Sequence, residues 1–150
     1  MKLIAHKGNV NGPDSSKENT PAQIEWCIDN GYDVEIDVRY DSEKDKFYLG
    51  HDESQYEINW WWLAGKVDHL WIHCKDITTL NEFVANTSGY NYFWHQGDDY
   101  TLTSKGHIWS YPGKSYTKNT VVVVPENDVL EDVTGECYGI CSAYIGRIRE

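Results

Sequence analysis

The chain has 150 residues, which is enough for one domain with a hydrophobic core but too few for two domains of ordinary size. Its formal net charge is −11, from 13 basic and 24 acidic residues. A surface this acidic repels nucleic acid and anionic membranes, so neither is an expected partner. A phosphate-bearing ligand would need a local positive site.

The cysteine pattern and the hydropathy of the chain indicate a reducing, aqueous compartment. The four cysteines fit neither a dense disulfide scaffold nor a CxxC metal motif. The apolar run at residues 1–5 is too short for a signal peptide, and no stretch approaches the ~20 apolar residues of a membrane-spanning helix. We therefore expect a cytoplasmic protein without stable membrane insertion.

The start of the chain predicts a strand–helix–strand unit. Residues 3–5 are apolar and form a short buried strand that ends at His6. Thr20, followed by proline, is the expected N-cap of a helix that ends near Gly31. A strand at residues 34–39 follows, and such a unit builds parallel sheets.

Apolar and acidic residues alternate in the strand at residues 34–39. Glu35 and Asp37 therefore share one strand face, about 7 Å apart, with the apolar residues on the other. Two neighbouring carboxylates need a cation, and a hard divalent metal is the natural candidate. A half-solvated edge strand with ordinary surface acids is the alternative interpretation of this stretch alone.

The remaining apolar runs complete a set of eight candidate strands. The later ones lie at residues 47–49, 70–75, 92–94, 107–109, 121–124 and 138–141. A helix is predicted over residues 76–86, and residues 57–65, with three consecutive tryptophans, form a helix or an aromatic-packed turn. Helices are thus clear only after the first and fourth strands.

Four short motifs follow one another in the first third of the chain. In order, they are His6-Lys7-Gly8, Glu18-Asn19-Thr20, Glu35-Ile36-Asp37-Val38 and His51-Asp52. Their order and spacing resemble the signature of the glycerophosphodiester phosphodiesterase family, which reads His-Arg-Gly, Glu-Asn-Thr, Glu-x-Asp-Val and His-Asp. Each motif is weak alone, whereas four in this order are specific. Beyond Lys75 the chain shows no motif of that family.

The resemblance implies the family's (β/α)8 barrel fold. Since such barrels usually need at least ~200 residues, we expect an α/β protein with a shortened (β/α)8 TIM-type barrel whose outer helices are partly reduced to loops. Residues 1–150 would form one phosphodiesterase domain. An incomplete or open α/β sheet is the alternative. A homodimer is one way to cover the barrel wall that missing helices would expose.

The resemblance also implies catalytic and metal-binding roles. His6 and His51 would act as general acid and base, in an order that stays open. Glu35 and Asp37 would bind Mg²⁺ or Ca²⁺. His73 stands where the family has a third glutamate ligand, and an imidazole there would favour Mn²⁺ or Zn²⁺; otherwise water replaces the third ligand.

Further residues would contact the substrate. Lys75 lies two residues after His73, on the same strand face, and would contact a phosphate oxygen. Lys7 replaces the family's arginine, which keeps the charge but not the bidentate fork. Glu18 and Asn19 would order the loop around the site. Trp94, in the aromatic run after residue 92, lines the leaving-group pocket or packs in the core.

The implied activity is metal-dependent hydrolysis of a small glycerophosphodiester-like substrate to a phosphomonoester and an alcohol, in lipid metabolism. Two alternatives remain open. One is a phospholipase D of the sphingomyelinase D kind, which carries a similar set of residues. The other is a non-catalytic phosphate- or metal-binding protein on a degenerate barrel.

Overall fold

The computed structural model describes residues 1–124, 130, 133 and 135–149. Within them, ten strands form one curled sheet, a half-barrel, accompanied by three α-helices. The strands are β1 (Lys2–His6), β2 (Asp33–Asp41), β3 (Lys46–Leu49), β4 (Tyr56–Ile58), β5 (Leu70–Cys74), β6 (Tyr92–Phe93), β7 (Tyr100–Leu102), β8 (Ile108–Ser110), β9 (Thr120–Val123) and β10 (Gly139–Ser142). The helices are α1 (Pro21–Asp29), α2 (Trp60–Ala64) and α3 (Ile77–Asn86), and a 3-10 helix spans Ile145–Arg149.

Seven of the described strands run parallel, in the spatial order β6-β5-β2-β1-β10-β9-β8. Strands β3, β4 and β7 extend this sheet as antiparallel additions. The sheet curls far enough for Phe93 on β6 and Trp109 on β8 to meet, with 4.6 Å between their ring centroids. Ser104, after β7, donates its backbone N–H to the carbonyl of Tyr92 at 2.8 Å.

The predicted (β/α)8 TIM-type barrel is wrong. The described residues contain three α-helices in place of eight, and β3 pairs with β2 in an antiparallel hairpin. The physical reason is connection length: only residues 42–45 separate β2 from β3, and a parallel crossover needs a dozen or more. The alternative prediction, an incomplete α/β sheet, describes the structure better.

The individual elements agree with the sequence prediction more closely than their assembly does. Each of the eight predicted strands overlaps an observed one, and the structure adds the three-residue strands β4 and β7. Helix α1 begins after Thr20, whose side chain accepts a hydrogen bond from Gln23 N. Helix α3 begins after Asp76, whose carboxylate accepts from Thr79 N at 2.8 Å. Both predicted helices are therefore confirmed.

The two faces of the curled sheet bury different side chains. Val34, Ile36 and Val38 of β2 face the helices and pack in a cluster that includes residues of α1 and α3. The inner face carries a second apolar cluster, contributed mainly by the parallel strands: Ile4, Trp71, Phe93, Trp109, Val121 and Cys141. Because side chains alternate along a strand, the next inward positions after Ile4 and Trp71 are His6 and His73.

The sheet thus has an apolar inner layer and, toward the carboxyl ends of its strands, a polar one. None of the helices among the described residues has the length and apolar character that crossing a bilayer requires.

Candidate metal centre

Three neighbouring parallel strands bring the polar inner layer together. Their register places His6 on β1 beside Glu35 on β2, and Asp37 on β2 beside His73 on β5. All four side chains project to the inner face, by the alternation that puts the valines and isoleucine of β2 on the outer one. The site is therefore built on β-strands, which hold side chains more rigidly than loops do.

Glu35, Asp37 and His73 form the centre of this group. One ligand atom of each lies within 4.8 Å of the others. His73 Nδ1 is 3.6 Å from Asp37 Oδ1 and 4.0 Å from Glu35 Oε2. The two carboxylates are only 2% and 1% exposed. The alternative of a half-solvated edge strand with ordinary surface acids is excluded by this burial.

The charge of the two carboxylates is incompletely balanced. Glu35 Oε1 and Asp37 Oδ1 are buried without a hydrogen-bond partner among the described residues. Lys75 Nζ lies 3.7 Å from Asp37 Oδ1, which is beyond hydrogen-bond length. Burial, followed by the charge of Asp37, raises the pKa of Glu35 to about 7. Unpartnered buried oxygens of this kind are costly, and a bound cation would relieve that cost.

His73 presents a lone pair, not a positive charge, to the carboxylates. Its Nε2 lies 2.9 Å from the backbone carbonyl of His95. A carbonyl only accepts, so Nε2 carries the ring proton and Nδ1 is left as the acceptor. Burial, with a smaller effect from Lys75, lowers the pKa of His73 to about 4. The contacts of Nδ1 are therefore not ion pairs, and three electron-pair donors converge on one point.

Asn19 holds Asp37 in place. Its Nδ2 donates to Asp37 Oδ2 at 2.9 Å, and its Oδ1 accepts from Asp37 N at 3.0 Å. Asn19 and Lys7 both adopt left-handed backbone conformations, with φ of +57° and +56°, which costs of order 1 kcal/mol each in a non-glycine residue. Asn19 N donates to Lys7 O, so the two strained residues support each other.

His6 and Lys7 lie at the rim of the centre. His6 Nε2 is 3.9 Å from Glu35 Oε1, and the His6 side chain is 25% exposed. Lys7 Nζ is 3.7 Å from Glu18 Oε2. Glu18 therefore partly neutralises the charge of Lys7. Lys75 is the lysine closest to the buried carboxylates.

His51 reaches the same rim from the β3–β4 loop. Gly50 N donates to Asp37 O at 3.1 Å, which fixes this loop beside β2. Arg39 Nη2 donates to the carbonyl of His51 at 2.6 Å. His51 Nδ1 lies 2.7 Å from Asp52 Oδ1, and the His51 side chain is 48% exposed. That hydrogen bond, with smaller effects from nearby lysines, lowers the pKa of Asp52.

The structure thus brings together most of the residues proposed from the sequence. Direct contacts join His6, Glu35, Asp37, His73 and Lys75, whereas Lys7, Glu18 and His51 lie at the rim. The Asn19 side chain is hydrogen-bonded to Asp37. Trp94 follows β6 and is 41% exposed, so it is not part of the core. Their catalytic and substrate-binding roles stay predictions.

One group that shapes the site was not predicted from the sequence. The carbonyl of His95 fixes the tautomer of His73, and because it is a backbone atom, no residue type marks it in advance. Comparison with known proteins found no match to this chain among family models, curated proteins or solved structures. The function of the site has to be argued from its chemistry.

Proposed function

We propose that this protein is a metal-dependent phosphodiesterase that hydrolyses a small glycerophosphodiester-like substrate to a phosphomonoester and an alcohol. The observation that carries the proposal is the convergence of the Glu35 and Asp37 carboxylates and the His73 lone pair beside His6. The motif resemblance supports a phosphodiester as the substrate. The buried, unpartnered oxygens support a divalent cation at the centre.

The donor set fits a divalent ion. Two carboxylate oxygens without hydrogen-bond partners and an imidazole nitrogen without a proton are all available as ligands. When bound, the ion would neutralise a phosphate and stabilise the additional charge of the transition state. The residues that would hold it are Glu35, Asp37 and His73.

The remaining charged groups would orient the phosphate. Lys75 places a positive charge beside Asp37, and a phosphate oxygen approaching the centre would meet its ammonium group. Lys7 would add a second positive charge, in competition with Glu18. In a protein with a net charge of −11, these lysines together with a bound divalent ion would form the local positive site that an anionic substrate requires.

His6 and His51 would carry the two proton transfers. One neutral imidazole takes a proton from the attacking water as its oxygen bonds to phosphorus. The other, as imidazolium, gives a proton to the leaving alkoxide as the phosphorus–oxygen bond to the alcohol breaks. Asp52 orients the His51 ring through Nδ1, as a carboxylate does in other His–acid pairs.

The test is hydrolysis of bis(p-nitrophenyl) phosphate and of glycerophosphocholine by metal-stripped protein, with Mg²⁺, Ca²⁺, Mn²⁺ or Zn²⁺ added back. Each proton transfer contributes about 10²–10⁴-fold to the rate, so His6→Ala and His51→Ala should each lower kcat by that order on glycerophosphocholine. The p-nitrophenolate leaving group needs no general acid. The variant that remains active on it therefore identifies the acid.

His69→Ala is the matched control. His69 is as exposed as His51 and lies beside Asp33, at the start of β2 rather than at the site, so its loss should leave turnover unchanged. Metal binding without turnover of either substrate would favour the non-catalytic binding protein. Sphingomyelin serves as a third substrate, and turnover confined to it would favour the phospholipase D alternative. Full activity in both histidine variants would overturn the proposed proton transfers.

A further inference from the structure

We propose that this centre selects a first-row transition ion, Mn²⁺ or Zn²⁺, over Mg²⁺ and Ca²⁺, because the fold locks His73 in its ligating tautomer. The inference rests on the metal-binding part of the proposed function and concerns the identity of the cofactor. It comes from three features: the donor set, the hydrogen bond to the His95 carbonyl, and the packing of the His73 ring.

The donor set of the centre mixes oxygen and nitrogen ligands. Mg²⁺ and Ca²⁺ prefer oxygen ligands, and Ca²⁺ takes six to eight of them. Here the described side chains that meet within 4.8 Å of one another offer two carboxylates and one imidazole nitrogen. Imidazole suits Zn²⁺ and other transition ions, while carboxylates also suit Mn²⁺. A mixed set of this kind therefore discriminates against the two hard ions.

A backbone hydrogen bond fixes the tautomer of His73. A histidine whose Nδ1 carries the proton cannot ligate through that atom. A neutral imidazole that lacks a fixed hydrogen bond would spend part of its time as this Nδ1-protonated tautomer. The His95 carbonyl accepts from Nε2 at 2.9 Å, so the proton is held on the side away from the carboxylates. Such an outer hydrogen bond fixes ring orientation and raises ligand basicity in metal sites.

Ring packing holds the His73 imidazole in its orientation. The His73 ring stacks on Phe93, with 5.0 Å between centroids and an interplanar angle of 21°. This stacking opposes rotation of the imidazole away from the centre. Nδ1 lies 3.6 Å and 4.0 Å from the nearest carboxylate oxygens, and an ion about 2.0–2.2 Å from each ligand can span such separations. The nitrogen donor is thus preorganised.

The existing cations do not remove the need for an ion. Lys75 supplies one positive charge, 3.7 Å from Asp37 Oδ1, against two buried carboxylates. Lys7 is drawn toward Glu18. The electron pairs of Glu35 Oε1 and Asp37 Oδ1 remain without donors among the described residues.

The experiment measures metal binding to metal-stripped protein by calorimetry, without substrate. In the wild type, Mn²⁺ and Zn²⁺ should bind at least about tenfold more tightly than Mg²⁺ and Ca²⁺. His73→Glu replaces the nitrogen by carboxylate oxygens. It should reduce the affinity ratio of the transition ions to Mg²⁺ and Ca²⁺ about tenfold or more. His73→Gln, which adds no charge, serves as a second variant in case the third buried carboxylate prevents folding.

Pulsed electron paramagnetic resonance of bound Mn²⁺ provides a direct readout. The wild type should show nitrogen coupling from a ligated imidazole, and His73→Glu and His73→Gln should lose it. His69→Ala is the matched control, because it removes an imidazole that lies beside Asp33, at the start of β2 and outside the centre. Its selectivity and nitrogen coupling should match those of the wild type.

The outcomes separate this inference from the proposed function. Selective binding of Mn²⁺ or Zn²⁺ without hydrolysis would uphold the metal selectivity and contradict the phosphodiesterase. Hydrolysis driven by Mg²⁺, with Mg²⁺ binding as tight as Mn²⁺, would uphold the enzyme and overturn the selectivity. Absence of nitrogen coupling in the wild type, or its persistence in both His73 variants, would also overturn the inference.

Discussion

Glu35 and Asp37 are buried on β2, where water cannot solvate their charges. Lys75 offsets part of that charge from 3.7 Å, and neutral His73 adds a lone pair rather than a proton donor. A divalent ion would balance the remaining charge and satisfy the open electron pairs. At the scale of single residues, the burial and the hydrogen bonds favour metal chemistry over an ordinary ion-pair network.

The affinity for Mn²⁺ should depend on pH through Glu35. Burial raises the pKa of Glu35 to about 7, and below that value a proton occupies the carboxylate that the metal needs. The Kd should therefore rise about tenfold for each pH unit below the pKa and level off above it. His73 does not compete in this range, because burial lowers its pKa to about 4.

Calorimetric titration of metal-stripped protein with Mn²⁺, from about pH 5.5 to 8, measures this slope. His73→Gln is the control: its affinity should be weaker throughout, but the slope should persist because Glu35 is unchanged. A Kd for Mn²⁺ that stays constant over the range would contradict the role of Glu35 as a ligand.

The hairpin of β2 and β3 is the element that delivers His51 to the site. Its four-residue connection turns the chain back, and Gly50 then approaches Asp37 closely enough to donate a hydrogen bond to its carbonyl. Gly50 also has no room for a side chain: a Cβ there would lie 1.8 Å from the carbonyl oxygen of Glu53. The loop conformation therefore depends on this glycine.

Gly50→Ala should displace the His51 loop and lower kcat on glycerophosphocholine. Misplacing a catalytic group by about 1 Å can cost on the order of 10²-fold in rate, so we expect a loss of at least about tenfold. Mn²⁺ affinity should change far less, because His51 is not among the ligands. Turnover and calorimetric binding, measured on the same preparation, separate the two effects.

Gly97→Ala is the matched control for this variant, since a Cβ at Gly97 meets nothing within 4 Å. It should keep wild-type turnover and binding. If Gly50→Ala retained full kcat, the conformation of this loop would be irrelevant to catalysis, and the assignment of His51 would fail with it.

Over the whole molecule, the curled sheet divides its inner face into an apolar and a polar layer. Aromatic side chains, including Trp71 and Trp109, fill the first, and residues of β1, β2 and β5 form the second. Burying unbalanced charge in the polar layer opposes folding. The buried charge of the site should therefore lower the stability of the metal-free protein, as functional sites commonly do.

Glu35→Gln should stabilise the metal-free protein at pH 8. Because the pKa of Glu35 in the folded state is raised from 4.5 to about 7, its contribution to stability is present below about pH 4.5 and lost as pH rises through 7. Glu35→Gln has no carboxyl group to ionise at this position, so its stability does not fall in this way as the pH rises. Since 1 kcal/mol shifts the Tm of a domain of this size by about 2–4 °C, we expect a Tm higher by several degrees.

Thermal unfolding at about pH 5 and pH 8 checks this, because the difference between variant and wild type should shrink at the lower pH. Mn²⁺ should raise the Tm of the wild type and leave that of Glu35→Gln nearly unchanged. A variant less stable than the metal-free wild type at pH 8 would show that the carboxylate is well accommodated without a cation.

Local patterns in the sequence were sufficient for the strands, the two longer helices and the pairing of Glu35 with Asp37 on one face. Alternation and helix capping act over a few residues, so they are readable without the fold. The short strands β4 and β7 carry no such pattern, since each has three residues. The barrel prediction missed the antiparallel direction of β3, although the four residues that connect it to β2 are too few for a parallel crossover.

The sequence by itself therefore determined the elements and the set of polar residues that they carry. Only the tertiary structure decided that the sheet is a half-barrel rather than a (β/α)8 barrel, because strand order depends on contacts between distant segments. The tertiary structure alone also placed the His95 carbonyl within hydrogen-bond distance of His73. A backbone carbonyl is the same group in every residue, so where it points is set by the path of the folded chain.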